Sequence, residues 1–323
     1  MINRGYCINY LLALMVILTL NFMLPRLMPG DPLQAIYGDE AMIAMTPELK
    51  EELISRYSLD LTQAGQFRAY IGSLLRGDLG YSYYYNVPVA AVLLGSFPWT
   101  ALLVGLALCI STGLGLFLGI ESGYRRGRTV DRLLLGGFMW ISGLPDFFVG
   151  MLLLLIFGVT LGLVPLAGAV TPYTGQGWAP ALIDGLRHLA LPLASLVLAR
   201  LTATYLLARN TMITTMGEPF IMTARSKGCS GPAVRYRHAG RNSLLPVVTA
   251  AGLQLSHLIT GALFVEIVFS YPGMGALMYN ALLTRDYPLL QGILLLSAVT
   301  VLTVNLLVDL LYKRIDPRVA YAH

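Results

Sequence analysis

The sequence predicts an all-α polytopic membrane protein, and three observations carry that prediction. Of the 323 residues, 56% are hydrophobic and 12% charged, and the mean hydropathy is +0.68. The apolar residues gather into six long runs, each near the length a helix needs to cross a bilayer. The basic residues fall between those runs and concentrate in alternate connections. An ordinary soluble domain is excluded on this composition. The formal net charge of +5 does not indicate nucleic acid, because the cations form no continuous patch.

The six expected spans cover residues 8–27, 98–120, 133–161, 188–207, 246–269 and 289–312. One set of connections holds Arg4, then Arg125, Arg126, Arg128 and Arg132, then Arg209, Arg225, Lys227, Arg235, Arg237 and Arg241, and finally Lys313, Arg314 and Arg318. The positive-inside bias places that set, and with it both termini, in the cytoplasm, which suits an even number of spans. The first run is expected to be a retained span: Pro25-Arg26 and Met28-Pro29-Gly30 follow it, and no small-residue cleavage site does. The chain then divides into a first transmembrane helix (1–28), an external helical cap (29–97) and a five-helix core (98–323) with a cytoplasmic loop at 217–246.

In the external segment, Thr46-Pro47-Glu48 reads as a helix start with Glu51 and Glu52 in an acidic turn behind it. Residues 66–75 repeat apolar side chains at helical spacing: Phe67, Tyr70, Ile71 and Leu74. Gly115 and Gly119 in the second span, after Gly113, have the spacing of a close helix-packing seam. Gly143 and Pro145 would interrupt the third span, so a kink is expected within 142–148. A Gly/Pro-rich stretch from Leu163 to Pro180 makes a second external loop, and Leu191-Pro192 marks a kink in the fourth span. Cys7, Cys109 and Cys229 lie far apart and suggest neither a disulfide framework nor a zinc site.

The polar island 217–246 stands out between two apolar runs. Glu218 suits a helix's positive end and Pro219 its first position; Gly228 supplies a stop, and Gly231-Pro232 opposes a restart. The intervening helix of roughly 13 Å is too short to span a bilayer and long enough to dock in a groove. On composition alone, the favoured reading of the island is a basic loop that only fixes topology.

Thr223-Ala224-Arg225-Ser226-Lys227-Gly228, followed by His238-Ala239, Arg241-Asn242 and Pro246, resembles the EAA loop of binding-protein-dependent ABC importer permeases. The resemblance is to the dipeptide, oligopeptide and nickel permease family, and to the first permease subunit of its pair. Further phrases extend it along nearly the whole chain: Pro29-Gly30-Asp31-Pro32, Gly77-Asp78-Leu79-Gly80-Tyr81-Ser82, Phe269 to Gly275, Arg285-Asp286-Tyr287-Pro288, Asn305 to Asp309 and Asp316-Pro317-Arg318. Asp146 departs from the pattern, which more often has a small polar residue there. The resemblance implies the type I importer permease fold, with an external domain after the first helix. It implies a coupling helix seated on an ATPase subunit, which assigns Glu218, Pro219, Phe220, Thr223, Ala224, Arg225, Lys227 and Gly228 to ATPase coupling. It also implies a second homologous permease, two ATP-binding subunits that hold ATP and Mg, and an external solute-binding protein. The implied cargo is a dipeptide, an oligopeptide or a nickel or metal chelate.

No Gly-Lys pair occurs in the chain, so a Walker A phosphate loop is absent and no cofactor or catalytic residue is assigned to it. Charged groups within spans are costly and therefore functional candidates: Arg200, His257, Glu266 and Asp309. For Glu266 and Asp309 the resemblance favours fold roles such as capping a re-entrant turn or pairing across helices. Arg200 either faces a cargo cavity or pairs with a neighbouring helix. A lone His257 reads as a packing residue and not a nickel ligand, since a metal site wants several converging donors. Two rival classes are an ion-driven secondary transporter, which predicts inverted repeats with broken helices in both halves, and a membrane hydrolase, which needs HExxH or GxSxG. The hydropathy shows no convincing repeat, and neither motif occurs.

Overall fold

A computed structural model of the chain describes residues 4–27, 46–48, 50, 62–172, 177–255 and 262–315. In chain order the described helices are α1 (Arg4–Leu27), α2 (Gln63–Leu75), α3 (Val89–Tyr124), α4 (Thr129–Ser142), α5 (Asp146–Leu153), α6 (Trp178–Met216), α7 (Pro219–Ser226), α8 (Arg241–Leu255), α9 (Leu263–Val268), α10 (Met274–Leu283) and α11 (Tyr287–Ile315). Wider π-type turns extend α5 through Leu154–Thr160 and lead into α8 at Ala233–Gly240. The only extended pairing among the described residues is an isolated bridge between Tyr81 and Pro88. The chain is therefore all-α, as its apolar periodicity requires.

Among the described residues, α3, α6 and the Tyr287–Val308 part of α11 are each long and apolar enough to cross a bilayer. The pair α4 and α5 qualifies together, bent by 101° at the break between them. Gly143 and Pro145 lie in that break; proline offers no N–H to the preceding turn, so α4 ends and the chain turns sharply. The expected kink is thus a full change of direction. The first expected span falls in α1, with its apolar run at Ile8–Met23. The fifth passes through residues 256–261, which lie outside the described residues, so the count of six rests on the sequence.

Three boundaries differ from expectation. The helix expected from Pro98 begins at Val89 and holds Pro98 inside it. The fourth expected span lies in a 39-residue helix that runs unbroken through Pro192. The fifth was expected from Pro246, but helical turns begin before Arg241 and Pro246 sits within α8, with Gly231-Pro232 opening those turns. Hydropathy marks where a helix becomes apolar. Backbone hydrogen bonds continue past that point into polar sequence.

The structure divides into two compact units, residues 1–98 with 277–300, and residues 99–276 with 301–323. In the first, the buried Asn21 of α1 donates to Tyr70 Oη and to the Gln291 carbonyl, both at 3.0 Å, and Phe22 packs edge-on against Phe67 at 5.1 Å. Helix α2 starts where Thr62 caps it by accepting from the Gly65 N–H at 3.3 Å. Of the other expected external helix, Pro47 and Glu48 are helical, and Glu51 and Glu52 lie outside the described residues. The fully buried Asp286 ties two parts of this unit together. It accepts from Ser82 Oγ at 2.5 Å and the Tyr84 N–H at 3.1 Å, and it caps α11 through the Leu289 N–H at 3.2 Å.

In the second unit, α3 and α6 meet along Gly115, Gly119 and Gly123. A Cβ built on Gly119 would lie 2.6 Å from Ala208 Cβ and 2.7 Å from the Tyr205 carbonyl oxygen. Only hydrogen fits there. Gly113, on another face of α3, has nothing within 4 Å, so the seam runs one turn further toward Gly123 than the sequence pattern indicated. Phe138 of α4 stacks at 4.6 Å on Tyr205 of α6, which fixes α4 on the same side of α6.

Candidate functional site

The island 217–246 forms a short helix with a defined start, stop and inner face. Glu218 holds the cap position in extended conformation and Pro219 opens α7, where its missing N–H costs no bond. Lys227 ends the helix, and Gly228 takes the left-handed conformation at φ +76°. The Gly228 N–H then bonds the Arg225 carbonyl at 2.9 Å, and the Cys229 N–H bonds that of Ala224 at 3.2 Å. That paired closure satisfies two carbonyls that would otherwise be orphaned.

Only Ile221 and Ala224 of α7 are buried, one turn apart. Ile221 joins Ile120 of α3, Met212 of α6, and Val234 and Ala239 of the π-type turns in one apolar cluster. Burying a side chain of that size contributes ~1.5–3 kcal/mol, which seats the helix on the ends of two long helices. The opposite face is exposed: Glu218, Phe220, Met222, Thr223, Arg225 and Lys227. Met222 is 70% and Phe220 41% accessible, an unusual presentation of large apolar side chains beside cations.

Two polar joints brace this seat, and in the sequence their arginines read only as topology signals. Asp131, at the start of α4, is almost fully buried and takes both Nε (2.7 Å) and NH2 (2.9 Å) of Arg209 on α6. It also accepts from Ser122 Oγ at 2.5 Å and the Gly127 N–H at 2.8 Å, and Ser122 shares a 2.6 Å bond with Tyr205 Oη. Next to Ser122, Glu121 binds Arg235 at 2.6 Å and Arg125 at 3.2 Å, and accepts from the Tyr236 hydroxyl. That donated bond is the first cause holding the Tyr236 hydroxyl above its ordinary titration range. A lone acidic residue amid four arginines, as Asp131 is between Arg125 and Arg132, was the one available hint in the sequence.

Residues 111–321 match the family described as binding-protein-dependent transport system inner membrane component. The chain belongs to that family. It is similar to the dipeptide transport system permease protein DppB of Escherichia coli (strain K12), with 34% identity over 319 residues, 94% of this chain and 93% of that one. It is equally similar to the di/tripeptide transport system permease protein DppB of Pseudomonas aeruginosa (strain UCBPP-PA14), at 34% over 323 residues with the same coverage. A putative peptide permease of Brucella suis biovar 1 (strain 1330) shares 35% over 320 residues, 97% of this chain and 98% of that one. The chain is therefore a multi-pass permease subunit of an ABC importer, a class that works with a partner permease, an ATPase and a solute-binding protein.

Of the permease's intramembrane candidates, the side chains of Glu266 and Arg200 are among the described residues. Glu266 is fully buried and accepts from the Gly275 N–H at 2.6 Å, the Ala276 N–H at 3.2 Å and Thr100 Oγ1 at 2.6 Å. Thr100 Oγ1 in turn accepts from the Met274 N–H at 2.7 Å. Three of the unpaired donors that open α10 are thereby satisfied. A Cβ on Gly273 would come within 2.3 Å of the Glu266 carboxylate, so this turn requires glycine. Arg200 is half-buried on α6 in the field of Asp146, the residue that opens α5 after the sharp bend. Asp309 belongs to α11, and His257 lies outside the described residues.

Proposed function

We propose that this permease imports short peptides, and that α7 is the element through which ATP hydrolysis in a separate subunit drives it. The observation that carries the reading is the two-faced seat of α7. Ile221 and Ala224 anchor it to α3 and α6, and Phe220, Met222, Arg225 and Lys227 are left for another surface. A stiff helix of eight residues transmits displacement as a body. Glu218, Pro219, Thr223, Ala224 and Gly228 set its start, its packing and its stop.

The peptide cargo is supported by the names of three relatives that match nearly full length. The reading includes a second homologous permease, two ATP-binding subunits that hold ATP and Mg, and an external binding protein that delivers the peptide. The chain's lack of a Gly-Lys pair supports placing the nucleotide elsewhere. The basic connections support cytoplasmic termini, with residues 29–97 as an external cap toward the binding protein. Arg200 and Asp146 offer opposite charges within the spans, a chemistry that suits a zwitterionic peptide in transit.

Reconstitution tests this directly. Vesicles holding both permeases and the ATP-binding subunits should accumulate a dipeptide only with ATP and the binding protein. Arg225→Glu, or Gly228→Val at a left-handed position, should abolish uptake at unchanged insertion. Full uptake by both variants would sink the coupling role of α7, and uptake without ATP would sink the importer reading altogether.

A further inference from the structure

Glu121 and Ser122 are consecutive residues of α3, and each anchors a different joint. Ser122 belongs to the buried one, with Asp131, Arg209 and Tyr205. Glu121 reaches the other way, to Arg235 in the π-type turns that follow α7. Thus one turn of α3 connects the segment trailing α7 to the α4–α6 assembly.

The two joints differ in how readily they open. The Asp131 and Arg209 side chains are 3% and 13% exposed and bond at two points, so separating them would strand a buried charge. Glu121 and Arg235, at 13% and 17%, bond at one point only, so they can part with less disruption. The Arg235 guanidinium also lies 4.2 Å from the Tyr124 ring centroid and 5.7 Å from that of Tyr236. An arginine on aromatic faces can shift along them without losing all attraction. In addition, Arg235 Nε is buried with no acceptor among the described residues.

We propose that Glu121 and Arg235, held by Tyr124 and Tyr236, are positioning residues that form a clasp delivering the movement of α7 to α3. The proposal rests on the coupling role of α7 given above. The buried joint at Asp131 then passes the movement on to α4 and α6, acting as a rigid link. Loosening the clasp leaves α7 able to follow the ATPase subunit while α3 lags behind. ATP is then consumed without import.

The test is the ratio of peptide imported to ATP hydrolysed, measured in vesicles with the complete importer and its binding protein. Arg235→Gln should lower that ratio by about 5- to 150-fold, the range of a typical coupling energy, with the complex still assembled and hydrolysis preserved. Arg235→Lys keeps the charge but loses the planar fork and should fall between. Glu121→Arg combined with Arg235→Glu should recover part of the ratio. An unchanged ratio in Arg235→Gln, or loss of assembly together with hydrolysis in both Arg235 variants, overturns the clasp. Arg225→Glu is run beside them: if it uncouples and Arg235→Gln does not, only the clasp fails, and if neither does, the coupling role of α7 fails.

Discussion

Replacing Gly119 by alanine adds one methyl group at the tightest point between α3 and α6. The new Cβ would stand 2.6 Å from Ala208 Cβ, 2.7 Å from the Tyr205 carbonyl oxygen and 2.9 Å from the Arg209 N–H nitrogen. Ordinary contact begins at 3.4 Å, and two of these three neighbours are backbone, which cannot swing aside. The helices must therefore part by roughly 1 Å, a strain that overpacked cores meet at ~1–3 kcal/mol. The same separation stretches the 2.6 Å bond between Ser122 and Tyr205 one turn away. Alanine itself is the better helix former by up to ~1 kcal/mol, so a matched control is needed. Gly113→Ala supplies it, on the same helix with nothing within 4 Å. Thermal unfolding in detergent should show Gly119→Ala less stable than the parent and Gly113→Ala equal or more stable. If both variants shift alike, the α3–α6 seam is not packed as described.

Glu266→Ala would orphan the Gly275 and Ala276 N–H groups, at a cost of ~1–3 kcal/mol or more; Glu266→Gln keeps an acceptor and should be milder, as read from folded yield and melting temperature. Asp131→Asn leaves Arg209 without its counter-charge and should destabilise by ~3–5 kcal/mol; a cycle with Arg209→Gln should show strong coupling, and additive losses would contradict the joint. Tyr236 has a folded-state titration raised above its usual value near 10, so its contribution is complete below that pH and is lost as pH rises through the higher value. The tyrosinate absorbance missing from Tyr236→Phe should accordingly appear at the alkaline end of the titration.

The short helix α7 is legible in the sequence because its signals are local. Pro219 and Gly228 act on the backbone within one turn of themselves, so their meaning survives without neighbours. The bend after Ser142 was legible for the same reason, though its angle was not. The faces of α7 were not legible at all: eight residues carry no clear periodicity, and Ile221 is inner while Met222 is outer only because Ile120 and Met212 lie beneath one of them.

What the sequence alone determined is the class of protein, the ladder of apolar runs, the sign of its connections and the short start-stop helix. Each follows from the bilayer's thickness or from a residue's own backbone preferences, which act within a few neighbours. Only the tertiary structure decided which charges meet. Arg209 and Asp131 are 78 positions apart, and Arg235 and Glu121 are 114 apart. No local rule links residues at such separations; their pairing follows from glycines that let α3 and α6 approach until the polar ends of four helical segments share one small volume.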